Sequence, residues 1–94
     1  MKDAISPLHV VSTNCFEREM HRMQRRNKNL SKVDPIVDQL ARRQLLAARF
    51  KDHPLKGNWK GYRECHIEPD WLLVYRIQGD KLILERTGTH NDLF

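Results

Sequence analysis

The chain is poor in the residues that build stapled or metal-stabilised folds. Its 94 residues hold two cysteines, Cys15 and Cys65, far apart in sequence. No CxxC pair occurs, so neither a disulfide framework nor a zinc ribbon has a scaffold here. Four glycines and four prolines are too few for a low-complexity linker, and no internal repeat is visible. No apolar run approaches the roughly 18 residues of a membrane-crossing helix. The opening "MKDAISPLHVV" is too short and polar for a secretory leader. The expectation is a cytoplasmic protein with reduced thiols and no membrane partner. The length allows one small domain, residues 1–94, with a thin core.

What the chain does have is charge. Asp, Glu, Lys and Arg make up 31% of it, beside 39% hydrophobic residues, a globular balance with a wet surface. The net charge of +5 is unevenly distributed. Residues 1–50 carry ten Lys/Arg against five Asp/Glu, and residues 51–94 carry seven of each. The basic excess therefore lies wholly in the first half. It favours a polyanionic partner, nucleic acid above all, or an acidic protein.

The hydrophobic period changes along the chain. "ISPLHVV" (Ile5–Val11) reads as a first strand, with Pro7 on an unpaired side. Phe16, Met20 and Met23 form one stripe of a helix over about residues 12–28. A second helix follows to about Ala48, capped by Ser31 or Asp34, with Pro35 just inside. Its apolar face is Val33, Ile36, Val37, Leu40 and Ala41, and the short link implies a helical hairpin.

Then the period becomes two. "YRECHI" (Tyr62–Ile67), "WLLVYRI" (Trp71–Ile77) and "KLILERT" (Lys81–Thr87) read as strands joined by the turns "EPDW" and "QGD". The middle strand is apolar on both faces: Trp71, Leu73, Tyr75 and Ile77 on one, Leu72 and Val74 on the other. The expected fold is α+β, in the order β-α-α-β-β-β, an antiparallel meander with the helical hairpin on one face.

Three histidines, His53, His66 and His90, fall at the edges of elements in the neutral half. Asp70 shares the turn with His66. In a meander, that turn and the end of the last strand lie at the same end of the sheet, so His66, Asp70 and His90 can meet. Singly, each has an ordinary reading as a solvated loop residue or a turn former. The spacings of 13 and 24 residues between the histidines match no close-paired zinc motif, so neither metal nor other cofactor is expected. Cys65 alternates onto the core face and reads as a small buried hydrophobe.

Imidazole titrates near neutrality, so paired groups here suit general acid–base work. Cleavage of RNA by its own 2′-hydroxyl needs such a pair, and cations for the charge on phosphorus. Lys51, Lys56, Lys60, Arg63 and Arg86 are the nearby candidates. Arg18, Arg22, Arg25 and Arg26 line the first helix, and Arg42 and Arg43 the second. The like-charge pairs Arg18/Arg22 and Arg22/Arg26 would repel at i, i+4, and a bound polyanion would relieve them.

"KDHPLKGNWKGYRECHIEPDWLLVYRI" followed by "LERTGTHNDLF" closely resembles the YafQ branch of the RelE/ParE toxin superfamily. The match is dense over residues 51–94 and one of pattern over the helices. The resemblance implies a RelE-like fold and a ribosome-dependent mRNA endonuclease, the toxin of a bacterial toxin–antitoxin pair. It implies cutting of the A-site codon to a 2′,3′-cyclic phosphate and a 5′-hydroxyl, without metal. His90 would be the general acid, with His53, His66 and Asp70 on the base side. Trp71 and Phe94 would shape or hold the site, although the chain ends at Phe94 and places a carboxylate there. The basic helices would meet ribosomal RNA. The partners implied are a cognate antitoxin, the ribosome and mRNA, with operator DNA bound through the antitoxin complex. Two rivals stand beside this reading: a non-catalytic ParE-like inhibitor of the same fold, and a ribonuclease that needs no ribosome.

Overall fold

The computed structural model describes residues 6–94. The elements run β1 (His9–Ser12), α1 (Asn14–Arg25), α2 (Val33–Ala41), β2 (His53–Pro54), β3 (Arg63–Glu68), β4 (Trp71–Gln78), β5 (Lys81–Gly88) and α3 (His90–Leu93). The sheet order is β1-β5-β4-β3-β2. The meander β3-β4-β5 is antiparallel as expected, and β2 adds to it antiparallel. β1 instead pairs parallel with β5. The helical hairpin supplies the crossover that a parallel pair needs.

Several boundaries differ from the sequence expectation. The first strand begins at His9, so Leu8 and Pro7 precede it, and Ile5 lies outside the described residues. α1 is capped by the Thr13 hydroxyl, which accepts from the Phe16 N–H. Neither Ser31 nor Asp34 caps α2. Asn29 caps a single 3-10 turn, Leu30–Lys32, which leads directly into α2. That helix stops at Ala41 rather than Ala48. Arg43 adopts a left-handed φ of 62°, and its Nε donates to the Ser6 carbonyl. The chain is turned out of the helix by this tie, which helix propensity does not reveal.

The core lies where the apolar pattern puts it. Phe16, Met23, Val33, Ile36, Leu40 and Ala41 of the helices pack on Cys65, Trp71, Leu73, Tyr75, Leu82 and Leu84. Ile77, expected with them, is about half exposed at the far end of β4. On the opposite sheet face, Leu72 and Val74 pack with Leu93, Leu55, Trp59 and Tyr62 into a second, smaller cluster. β4 is thus buried on both faces, as a central strand should be.

Ion pairs fasten the helices to the sheet. Glu19 of α1 takes a forked pair of hydrogen bonds from Arg86 (Nε 2.8 Å, Nη2 2.7 Å) and another from the Thr87 N–H. Burial would raise the Glu19 pKa, but these donors together hold it below the ordinary value. At the C-terminus Asp92 caps α3 from within, accepting from the Thr89 N–H at 2.9 Å while the Thr89 hydroxyl accepts from the Asp92 N–H. The same carboxylate meets Arg26 at 2.7 Å and Arg22 at 4.0 Å. Its pKa is driven far below the carboxylate range, first by the Arg26 hydrogen bond. Gly88 makes this approach possible, because a Cβ there would stand 2.9 Å from the Asp92 Cβ.

Two outcomes are expected. Asp92→Asn should cost roughly 1–2 kcal/mol at neutral pH. Because the native pKa of Asp92 is depressed, its contribution is complete above about pH 4. It is lost as pH falls towards the native value. Denaturant melts of wild type and Asp92→Asn should therefore converge on acidification, whereas a gap independent of pH would refute the latch. Gly88→Ala should lower the melting temperature by displacing Asp92, and an unchanged melt would show that the contact is dispensable.

Candidate active site

β3 alternates its side chains, so Cys65 faces the helices while Glu64 and His66 share the other face. Two residues, Pro69 and Asp70, turn β3 into β4. The register shifts at Ile67, with His66 opposite Leu72 but Glu68 opposite Trp71. This bulge lets the turn fold back, and the Pro69 carbonyl lies 3.3 Å from His66 Nδ1. Trp71 anchors the turn from below. It is fully buried, and its Nε1–H donates to the Thr87 hydroxyl, which donates in turn to the Leu72 carbonyl. Trp71 therefore holds the site and has no surface with which to touch a substrate, so the substrate-shaping role expected of it narrows to support.

The end of β5 returns beside this turn and enters α3. His90 is the first residue of that helix. Its backbone N–H donates to Asp70 Oδ1 at 2.9 Å, and its Nδ1 lies 2.6 Å from the same oxygen. Both contacts favour the carboxylate and lower the Asp70 pKa, the backbone bond first. An ionised carboxylate only accepts, so Nδ1 carries the proton and His90 Nε2 is left for other work.

The remaining imidazoles complete a row. The rings of His66 and His90 are 5.7 Å apart between centroids, and those of His53 and His66 are 6.3 Å apart. β2 is only two residues long, yet it sets His53 opposite Glu64. His53 Nδ1 donates to the Lys51 carbonyl at 2.6 Å. Its Nε2 faces Glu64 at 3.2 Å, and His66 Nε2 faces the same carboxylate oxygen at 3.7 Å. With one nitrogen committed as a donor and the other against a carboxylate, His53 is held at both ends of its ring. His66 makes the longer contacts at both nitrogens and is the least committed of the three rings.

Glu64 is the residue that sequence reasoning missed. It is buried, with 8% of its side chain exposed, and it bridges two histidines. Its position two residues before His66, on the same strand face, was the available signal. Among the described residues no cluster of His, Cys, Asp and Glu has the arrangement of a metal site. The Cys65 thiol is pushed up to about 12, by burial first and then by Asp52 and Glu64. It is a packed hydrophobe and not a nucleophile.

The cations divide into committed and uncommitted. Arg86 is spent on Glu19, so it belongs to the fold and not to a phosphate site. Arg63 is half-buried between Asp52 and the Tyr75 hydroxyl. Lys51, Lys56 and Lys60 are exposed. On the helices, the repulsion between Arg22 and Arg26 is relieved by Asp92, with no external polyanion required. Arg42 pairs with Asp38, and Arg43 with the Ser6 carbonyl. Arg18 and Arg25 are exposed and make no hydrogen bond or ion pair among the described residues. Phe94 is 55% exposed and packs edge-on against Trp59, 5.5 Å away, which keeps its ring beside the second apolar cluster.

The chain has close relatives. It is 44% identical over 80 residues to the mRNA interferase toxin YafQ of Escherichia coli K12, a match covering 84% of this chain and 87% of that one. The crystal structure of the E. coli DinJ–YafQ toxin–antitoxin complex superimposes with a TM-score of 0.86 at 38% identity, covering 96% of this chain and 99% of that one. A metal-bound toxin from Helicobacter pylori superimposes with a TM-score of 0.87 at 39% identity, covering 93% and 99%. The model of the family described as the bacterial toxin of type II toxin–antitoxin systems, YafQ, matches residues 8–94. The RelE-like α+β fold, the ordered motifs of the C-terminal half and this match agree, and the chain belongs to the YafQ family of type II toxins.

Proposed function

We propose that this toxin is a ribosome-dependent mRNA endonuclease that cuts the A-site codon by metal-independent acid–base catalysis. One observation carries the reading: His53, His66 and His90, from three separate segments, stand in a row, with Asp70 holding His90 by one nitrogen. In the proposed step His66 takes the proton of the 2′-hydroxyl, and the 2′-oxygen attacks phosphorus. The bond to the 5′-oxygen breaks, and His90, protonated, gives that oxygen a proton from Nε2. The products are a 2′,3′-cyclic phosphate and a 5′-hydroxyl. Each proton transfer is worth on the order of 10²–10⁴-fold. Asp70 is the anchor of His90 in this scheme rather than the base, since both contacts from His90 stabilise its charge. The His53–Glu64 pair orients His66. Lys51, Lys56 and Lys60 supply the positive field around the phosphate.

The dependence on the ribosome rests on charge placement. Two uncommitted arginines, Arg18 and Arg25, lie on α1 seven residues apart, one face of that helix. A site this open, with few free cations of its own, would gain its substrate geometry from a ribosome held by that face. The toxin would work in the cytoplasm, be held inactive by a cognate antitoxin, and reach operator DNA only through that complex.

His90→Ala should lower single-turnover cleavage on programmed ribosomes by roughly 10²–10⁴-fold while the fold survives. Growth arrest at full strength by that variant would favour a ParE-like inhibitor instead. The pH profile of wild-type cleavage should be bell-shaped, with one imidazole needed neutral and one charged. A profile flat between about pH 5 and 8 would remove imidazole from the chemistry. Cleavage should persist when a chelator selective for transition metals is added in a buffer that keeps the ribosome's magnesium, and its loss would show that a bound metal takes part. Efficient cleavage of a bare oligonucleotide would show that the ribosome is dispensable.

A further inference from the structure

His66 stands at a border. Its ring joins the row of histidines on the sheet face away from the helices, and the residue also lines a groove of about 630 Å³ between α2 and the end of β3. The floor is apolar: Ile36, Phe50 and Ile67. Around the rim stand Lys32, Arg49 and Lys51. The size lies within the roughly 300–1,000 Å³ of small-molecule sites. The acid–base scheme uses His66 and Lys51 at its border but not the apolar space between them and α2.

The groove's charge is informative. Glu68 also lines it, but that carboxylate is saturated by Lys28 and Lys32, each at 2.8 Å. Arg49 and Lys51 remain, so the rim is net positive above an apolar floor. Arg49 lies over the Phe50 ring, 4.8 Å from its centroid. A flat guanidinium beside an aromatic ring and aliphatic side chains is a surface on which a nucleobase stacks, and Lys51 at the edge suits a neighbouring phosphate. An acidic protein segment would use the same cations but has no need of a flat apolar slot bordered by His66.

We propose that this groove is a nucleobase subsite, which takes the base of a nucleotide flanking the scissile phosphate and so positions that phosphate against His66 and His90. The proposal rests on the nuclease reading above and deepens it. Arg49 and Phe50 are positioning residues: they hold the strand and touch no reacting atom.

The test is a thermodynamic cycle between groove and base, using programmed ribosomes whose A-site codon carries an abasic nucleotide at one position at a time. With the wild-type toxin, one such substitution beside the cut should lower kcat/KM by roughly ten-fold. With Arg49→Ser, which is exposed and safe for folding, or Phe50→Leu, which keeps the apolar packing, the intact codon should lose a similar factor. The abasic penalty should then shrink towards one. Equal losses on intact and abasic codons would overturn the subsite, as would variants that cut both like wild type. Unchanged cleavage with weakened affinity for the co-purifying antitoxin would assign the groove to a protein partner and overturn it too. If the wild type fails to cut even the intact codon, the nuclease reading itself is wrong and the subsite falls with it.

Discussion

A single carboxylate, Asp92, fastens the helix that carries His90 into the reactive end. The four-residue helix α3 is too short to be stable by itself. Asp92 closes it from inside through Thr89 and fastens it from outside to Arg26 and Arg22 of α1. Leu93 adds an apolar contact on the second sheet face. With those three ties in place, His90 arrives beside Asp70 with no freedom to choose another partner. The place of His90 in the histidine row is therefore a property of packing between the two ends of the chain.

The same tie changes the meaning of the basic first half. Arginine side chains that read as a polyanion-binding face are in good part internal counter-ions. Arg22 and Arg26 neutralise Asp92, and Arg86 neutralises Glu19. Breaking such part-buried pairs from one side is costly, because the partner is left uncompensated. What remains for a partner is a smaller set, Arg18 and Arg25 on α1, Arg49 beside Phe50 and the lysines near the histidines. Net charge by half-chain registers the excess correctly, but it does not say which charges are already spent.

Much of the fold was legible because its signals are local. The switch from a helical period to a period of two marks the boundary between hairpin and meander. Pro69 and Gly79 mark the turns, and the two-faced apolar pattern of β4 marks the centre of the sheet. The convergence of His66, Asp70 and His90 also followed from meander geometry. The failures come from non-local ties. The end of α2 depends on Arg43 reaching the Ser6 carbonyl, and no propensity encodes that bond. β1 runs parallel to β5 because the hairpin carries the chain across, which the strand pattern of Val10 and Val11 leaves open. Glu64 was passed over because a carboxylate in a strand reads as a solvated residue until β2 closes over it with His53. Trp71 is similar: its place in the helix-facing core, with its Nε1–H bonded to Thr87 of the neighbouring strand, depends on packing that a turn motif does not reveal.

The central claim is that Asp70 fixes His90 in the tautomer protonated on Nδ1, with Nε2 free to move a proton. Long-range proton–nitrogen correlation of the imidazole rings reads this directly in the free toxin. With its imidazole neutral, the His90 spectrum should show the proton on Nδ1, and Asp70→Asn should release that preference. A neutral His90 carrying its proton on Nε2 in the wild type would contradict the account.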